Sequence, residues 1–116
     1  MKRDPRLYLD DIFDAIEKIE SYVEGLSFEE FSADSKTVDA IVRNFEIIGE
    51  ATKRISLETK EKYPQIPWKM MAGTRDKLIH EYFGVNLQVL WMAVKEDLPP
   101  VKGSIKSLLE KMDKEF

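Results

Sequence analysis

Asp4-Pro5-Arg6-Leu7-Tyr8-Leu9-Asp10-Asp11-Ile12-Phe13-Asp14-Ala15-Ile16-Glu17-Lys18-Ile19 decides the fold class. Asp before Pro is an N-cap followed by the residue best tolerated at the first helical position. Apolar residues then recur at Leu9, Ile12, Phe13, Ile16, Ile19, Val23 and Leu26, the three-and-four spacing of a helix with one face turned inward. Gly25 is a natural stop, and Ser27 with Glu30 has the spacing of a capping box opening a short turn that carries Phe28 and Phe31.

The same period continues along the chain. From about Ser35 to Ile55 the apolar set Val38, Ile41, Val42, Phe45, Ile48, Thr52 and Ile55 forms a narrow seam, with Arg43, Asn44, Glu46, Glu50 and Arg54 on other faces. Those polar residues fit a solvated face or a polar interface equally well, and Glu50 and Arg54, four apart, can pair across a turn. Pro64 and Pro67 bracket an irregular stretch before Trp68, Met70 and Met71, and Gly73-Thr74 offers a new helix start that ends at Gly84. Asn86 can cap the next helix, striped by Leu87, Leu90, Trp91, Val94 and Leu98. Pro99-Pro100 is then expected to force a corner before a last helix carrying Val101, Ile105, Leu108, Met112 and Phe116.

No period-two alternation is present, so the expectation is an all-α fold: an up-and-down antiparallel bundle of four to five helices, one domain over residues 1–116. The composition, 43% apolar and 34% charged, suits a helical protein with a charged exterior. Zero cysteines exclude disulfides and thiolate chemistry and agree with a reducing compartment, so a cytoplasmic location is expected. The N-terminus has no apolar leader core, and no stretch approaches the ~18 apolar residues of a membrane span. A net charge of -4 weighs against broad nonspecific binding to nucleic acid, so any RNA contact must be local.

Chemistry concentrates in Arg75-Asp76-Lys77-Leu78-Ile79-His80-Glu81-Tyr82, which holds the one histidine of the chain. Histidine moves protons near neutrality, and arginine is the cation shaped for phosphate or carboxylate. On a helix Asp76 and His80 share a face, so the carboxylate can fix the imidazole tautomer. Arg75 and His80 diverge by roughly 140°. One straight helix therefore does not aim both at one atom, whereas a curled arginine stem or a second copy of the helix in a two-fold dimer does. The bland alternative is a histidine near a helix end that bonds a carbonyl or faces water, among neighbours forming a solvated face. Trp68, Trp91 and the methionines read as core fillers, and no cofactor is expected. One His without Cys cannot build a His/Cys metal site, though carboxylate-bound magnesium stays open.

Arg75-x4-His80-x-Tyr82, standing as RDKLIHEYFGV, together with Arg43-Asn44-Phe45-Glu46-Ile47-Ile48-Gly49-Glu50-Ala51 and Pro67-Trp68, resembles the HEPN superfamily. Within it, the chain is similar to the HepT-like toxins paired with minimal nucleotidyltransferase antitoxins. The resemblance implies a homodimeric, metal-independent endoribonuclease with Arg75 and His80 catalytic and Asp76 supporting. It further implies RNA but not DNA as substrate, and Tyr82 as the residue to which a cognate nucleotidyltransferase attaches AMP. A non-enzymatic helical subunit that docks on a nucleotidyltransferase is the competing expectation, favoured by the acidic pI of about 5.1.

Overall fold

Every regular element in the computed structural model, which describes residues 4–73 and 86–115, is helical. Helix α1 (Pro5–Val23) starts as its sequence dictates: the Asp4 carboxylate accepts from the Arg6 backbone N–H at 2.9 Å, with Pro5 in the first turn. Leu9, Ile12, Ala15, Ile16, Ile19 and Val23 line its buried face. The chain turns at Gly25, whose φ of 77° lies in the left-handed region that only glycine enters without steric cost.

Helix α2 (Phe28–Ala33) opens with the expected box, Ser27 Oγ accepting from Glu30 N–H at 3.1 Å and Glu30 Oε1 accepting from Ser27 N–H at 3.0 Å. Asp34 then ends α2 and caps α3 (Ser35–Arg54), accepting from Thr37 N–H at 3.2 Å and Thr37 Oγ1 at 2.7 Å. These bonds favour the ionised carboxyls: the Ser27 backbone N–H holds Glu30 below its ordinary pKa, and the Thr37 hydroxyl does the same for Asp34.

The narrow seam expected on α3 is in fact a broad buried face. Ile41, Val42, Phe45 and Ile48 are joined there by Asn44, Gly49, Ala51 and Thr52. Burial of the two polar side chains is tolerated because each bonds its own helix. Asn44 Nδ2 donates to the Ala40 carbonyl at 2.8 Å, and Thr52 Oγ1 donates to the Ile48 carbonyl at 2.7 Å. Helix α1 packs against both α3 and the last helix, so the core runs between these three.

Helix α4 (Leu57–Lys62) and the helical residues 68 to 73 (α5) lead up to residue 73; Asn86 opens α6 (Leu87–Met92). The corner expected at Pro99-Pro100 does not form. A π turn over Ala93–Asp97 joins α6 directly to α7 (Leu98–Glu115), with no non-helical residue between. Leu98 donates its N–H to Ala93 O, five residues back, and keeps a right-handed helical backbone (φ −67°, ψ −41°). The wider turn makes room for two proline rings that would otherwise crowd the preceding carbonyls. The prolines and residues 95 and 96 are exposed, so water can replace the donors that proline lacks.

Trp68 and Met71 are core residues, as expected of fillers, while Met70 is exposed. Trp91 is half-buried against Phe31 and Phe28, with ring centroids 5.0 and 6.0 Å away. Val101, Ile105, Leu108 and Met112 are buried on α7; Phe116 lies outside the described residues. Among the described residues no helix is long and apolar enough to cross a membrane.

Two outcomes test this packing. Ile12→Ala, at a fully buried position, should lower the unfolding free energy by about 2–5 kcal/mol. Leu57→Ala, at a residue 70% exposed, should change it by no more than about 0.5 kcal/mol. Urea denaturation of both variants checks the contrast. The capping carboxyls set a pH dependence: their folded pKa values lie below the unfolded ones, so their contribution is present above the unfolded pKa and fades as pH falls through the folded pKa. Thermal melts should therefore show Glu30→Gln and Asp34→Asn converging on the wild type below the usual carboxylate range and falling short of it at neutral pH.

Candidate functional site

Arg75, Asp76, His80 and Tyr82, the residues singled out by the sequence, lie outside the described residues, as do the helix signals at Thr74 and Gly84. The two chain ends that flank residues 74–85 are described.

On the approach, Pro64 and Pro67 shape a tight path fastened by Trp68. Its indole N–H is shared between the Tyr63 carbonyl at 3.0 Å and the Lys60 carbonyl at 3.2 Å. Met71 follows, 2% exposed, its backbone N–H donating to Pro67 O at 3.1 Å. On the return, Asn86 Oδ1 accepts from Gln88 N–H at 3.0 Å and Val89 N–H at 3.2 Å, an N-cap that starts α6 at a defined residue. Leu90, one turn on, is fully buried.

The end of α5 and the π turn with the start of α7 meet over one patch of α3. A small cavity of about 40 Å³ is lined by Phe45 and Ile48 of α3, Met70 and Met71 of α5, and Ala93, Leu98 and Val101 beyond α6. Phe45 and Ile48 of α3 thus seat the end of α5 on the approach, while α6 on the return packs against α2.

The other side of α3 carries a polar groove of about 290 Å³. Arg43, Glu50 and Arg54 of α3 line it with Tyr8 and Asp11 of α1, over Ile47 and Ala51. Among the described residues, an ion pair on this stretch joins Arg43 Nη1 to Glu46 Oε2 at 3.4 Å. Its arginine side chain is 71% exposed, so the pair adds little stability and leaves the guanidinium easy to redirect. Sequence reasoning marked Arg43, Glu50 and Arg54 but overlooked Tyr8 and Asp11. The available signal was their spacing of three on α1, which places them together beside the apolar stripe.

Among the described residues, no group of three or more His, Cys, Asp or Glu converges as a metal-binding cluster. Lys102 Nζ donates to Glu20 Oε1 at 2.7 Å, and that hydrogen bond raises the lysine pKa. The pair ties α7 to α1, which is a structural role.

Comparison with known proteins bears on what this frame serves. The family described as "Ribonuclease HepT-like" matches residues 12–108. A protein of Thermococcus cleftensis named "Probable ribonuclease HepT" is 52% identical over 93% of this chain and 98% of its own length. A protein of Caldanaerobacter subterraneus subsp. tengcongensis whose name carries the RNase designation is 45% identical, over 92% of this chain and 96% of its own. One from Methanocaldococcus jannaschii, again with an RNase designation, is 40% identical over 98% and 94%. No solved structure matches the chain.

Proposed function

Since this chain belongs to the HepT-like ribonuclease family, we propose that it is a metal-independent endoribonuclease working through Arg75 and His80 in the cleft of a homodimer. The observation that carries the reading is the Arg75-x4-His80-x-Tyr82 motif, lying within the matched residues 12–108. The well-packed flanks add support, because a reacting group must be held to within a fraction of an ångström to be effective.

The chemistry is transfer of a phosphodiester to its own ribose. His80 takes the proton from the 2′-hydroxyl, whose oxygen attacks phosphorus to form a five-coordinate phosphorane. Arg75 stabilises the added negative charge, and the bond to the 5′-oxygen then breaks as that oxygen is protonated. The products are a 2′,3′-cyclic phosphate and a 5′-hydroxyl. DNA lacks the attacking oxygen and is inert. Asp76, four residues before His80, fixes the imidazole tautomer. A single imidazole cannot be base and acid at the same instant, so the second subunit's copy of the motif supplies the second proton-transfer group and brings Arg75 opposite His80.

In this reading the protein is the toxin of a cytoplasmic toxin-antitoxin pair. A cognate minimal nucleotidyltransferase silences it by transferring AMP from ATP: the Tyr82 oxygen loses its proton and bonds to the α-phosphorus as the α–β anhydride breaks and pyrophosphate leaves. The adenylyl group would place an anion and a bulky nucleoside beside Arg75, occupying the cation meant for the RNA phosphate. The net charge of -4 is the one observation favouring a non-catalytic adaptor for a nucleotidyltransferase instead.

Incubating the purified chain with single-stranded RNA in EDTA separates the two. Cleavage should occur, and His80→Ala and Arg75→Ala should each lower it by about 10²- to 10⁴-fold. Intact RNA with the wild-type chain supports the adaptor. Labelled ATP and the cognate nucleotidyltransferase should modify the wild type but not Tyr82→Phe; label entering that variant to the same extent refutes Tyr82 as the acceptor.

A further inference from the structure

Lys18 and Lys102 each sit against a carboxylate, Asp14 at 3.9 Å and Glu20 at 2.7 Å. Lys62 and Lys111 do not. Both ammoniums lie 5.4 Å from the centroid of a single ring, that of Tyr63, and among the described residues neither has a carboxylate partner. Sharing one centroid, the two cations stand within twice that distance of each other, although Lys62 ends α4 and Lys111 lies in the last turns of α7. Tyr63 is 2% exposed, so its ring is a fixed part of the core that sets where both charges stand. An exposed cation–π contact contributes only about 0.5–1 kcal/mol and engages none of the ammonium N–H donors in a hydrogen bond. Two like charges gathered in this way repel, and an anion held between them relieves that repulsion.

The pair stands at one end of a groove of about 550 Å³. Along α7 its lining runs through Pro100, Gly103, Ser104, Ser107 and Leu108 to Lys111, one face of the helix, and Gln65 stands opposite. A methyl group added at Gly103 would meet no atom within 4 Å, so the groove is open there. The side chains of Gln65, Ser104 and Ser107 make no hydrogen bond to another described residue. Leu108 is buried, which leaves little apolar floor for the amphipathic helix of a protein partner. Among the described residues no aromatic ring lines the groove to stack a base. Its chemistry is instead two cations suited to a phosphate, followed by hydroxyl and amide groups that both donate and accept, as a ribose 2′-hydroxyl requires.

We propose that this groove holds the backbone of a single-stranded RNA, a phosphate lying between Lys62 and Lys111 and the adjoining riboses bonding Ser104, Ser107 and Gln65. The inference rests on the ribonuclease reading and deepens it, giving the nuclease an anchor that positions the strand without reading its bases. The Tyr63 carbonyl also accepts from the Trp68 indole N–H at 3.0 Å, so the anchor is fastened to the approach to residues 74–85.

Fluorescence anisotropy with a labelled single-stranded RNA tests it, in the full-length His80→Ala chain so that the strand stays intact. Lys62→Ala/Lys111→Ala should weaken binding and flatten the slope of log affinity against log salt by about 0.7, the loss of one neutralised phosphate. Lys18→Ala/Lys36→Ala removes the same charge elsewhere and should keep the slope, as should Lys62→Arg/Lys111→Arg. Ser104→Ala/Ser107→Ala should also keep the slope but reduce the preference for RNA over DNA of the same sequence by about two- to tenfold. Circular dichroism confirms that each variant remains helical. No RNA binding, an equal loss of slope in both charge-removing variants, or an RNA/DNA ratio unmoved by the serine variant would overturn the proposal. So would displacement of the strand by polyglutamate as readily as by unlabelled RNA, which would make the groove a seat for an acidic protein segment.

The chain with His80 intact, given the same strand, separates this proposal from the reading on which it rests. Cleavage without the slope difference removes the anchor and leaves the nuclease standing. The slope difference with uncut RNA supports the anchor and removes the nuclease.

Discussion

Burial of α3 is the constraint on which the other features depend. One side of it packs on α1 and the core, where Asn44 and Thr52 are enclosed only because each satisfies itself on a carbonyl four residues back. A buried amide or hydroxyl without that bond would cost about 1–3 kcal/mol. Phe45 and Ile48 support the end of α5 and the start of α7, and a further strip of the helix forms a wall of the groove shared with α1. A single helix thereby relates a core, the approach to residues 74–85 and a second polar surface.

The sequence was legible where structure is decided locally. Asp4-Pro5, Gly25, the Ser27/Glu30 box and the Asn86 cap each act on backbone groups within a few residues, and each was readable from type and spacing. It misled where distant partners decide. Asn44, Gly49 and Ala51 look indifferent to burial in the sequence, and only the packing of α1 and its neighbours shows that they are enclosed. Pro99-Pro100 reads as a break, yet a π turn before it lets the helix continue, a compensation that no single residue announces. The groove was half legible: its α3 residues stood out as polar, but Tyr8 and Asp11 join them only through tertiary contact. Arg75 and His80 were chosen by residue chemistry and Tyr82 by family resemblance, neither of which needs knowledge of packing.

An acidic nuclease must bind its polyanionic substrate through a few placed cations rather than a broad positive field. That agrees with the proposed mechanism, which uses one guanidinium per motif. Affinity from such sites depends on matched hydrogen bonds, so selectivity for single strands with exposed base edges follows more naturally than tight general binding. In the proposed homodimer, pairing two subunits would double the cations and imidazoles at one cleft without raising the charge of either chain.

The central claim is that Arg75 and His80 act across paired subunits, and subunit exchange tests it most directly. Arg75→Ala and His80→Ala chains, each inactive alone, are mixed under conditions where native mass spectrometry confirms that mixed dimers form. If the cleft draws on both subunits, RNA cleavage rises above the level of either parent, though short of the wild type, since one intact arginine then faces one intact histidine while the second proton transfer falls to water. Cleavage that stays at the level of the parents while mixed dimers are abundant would contradict a shared cleft.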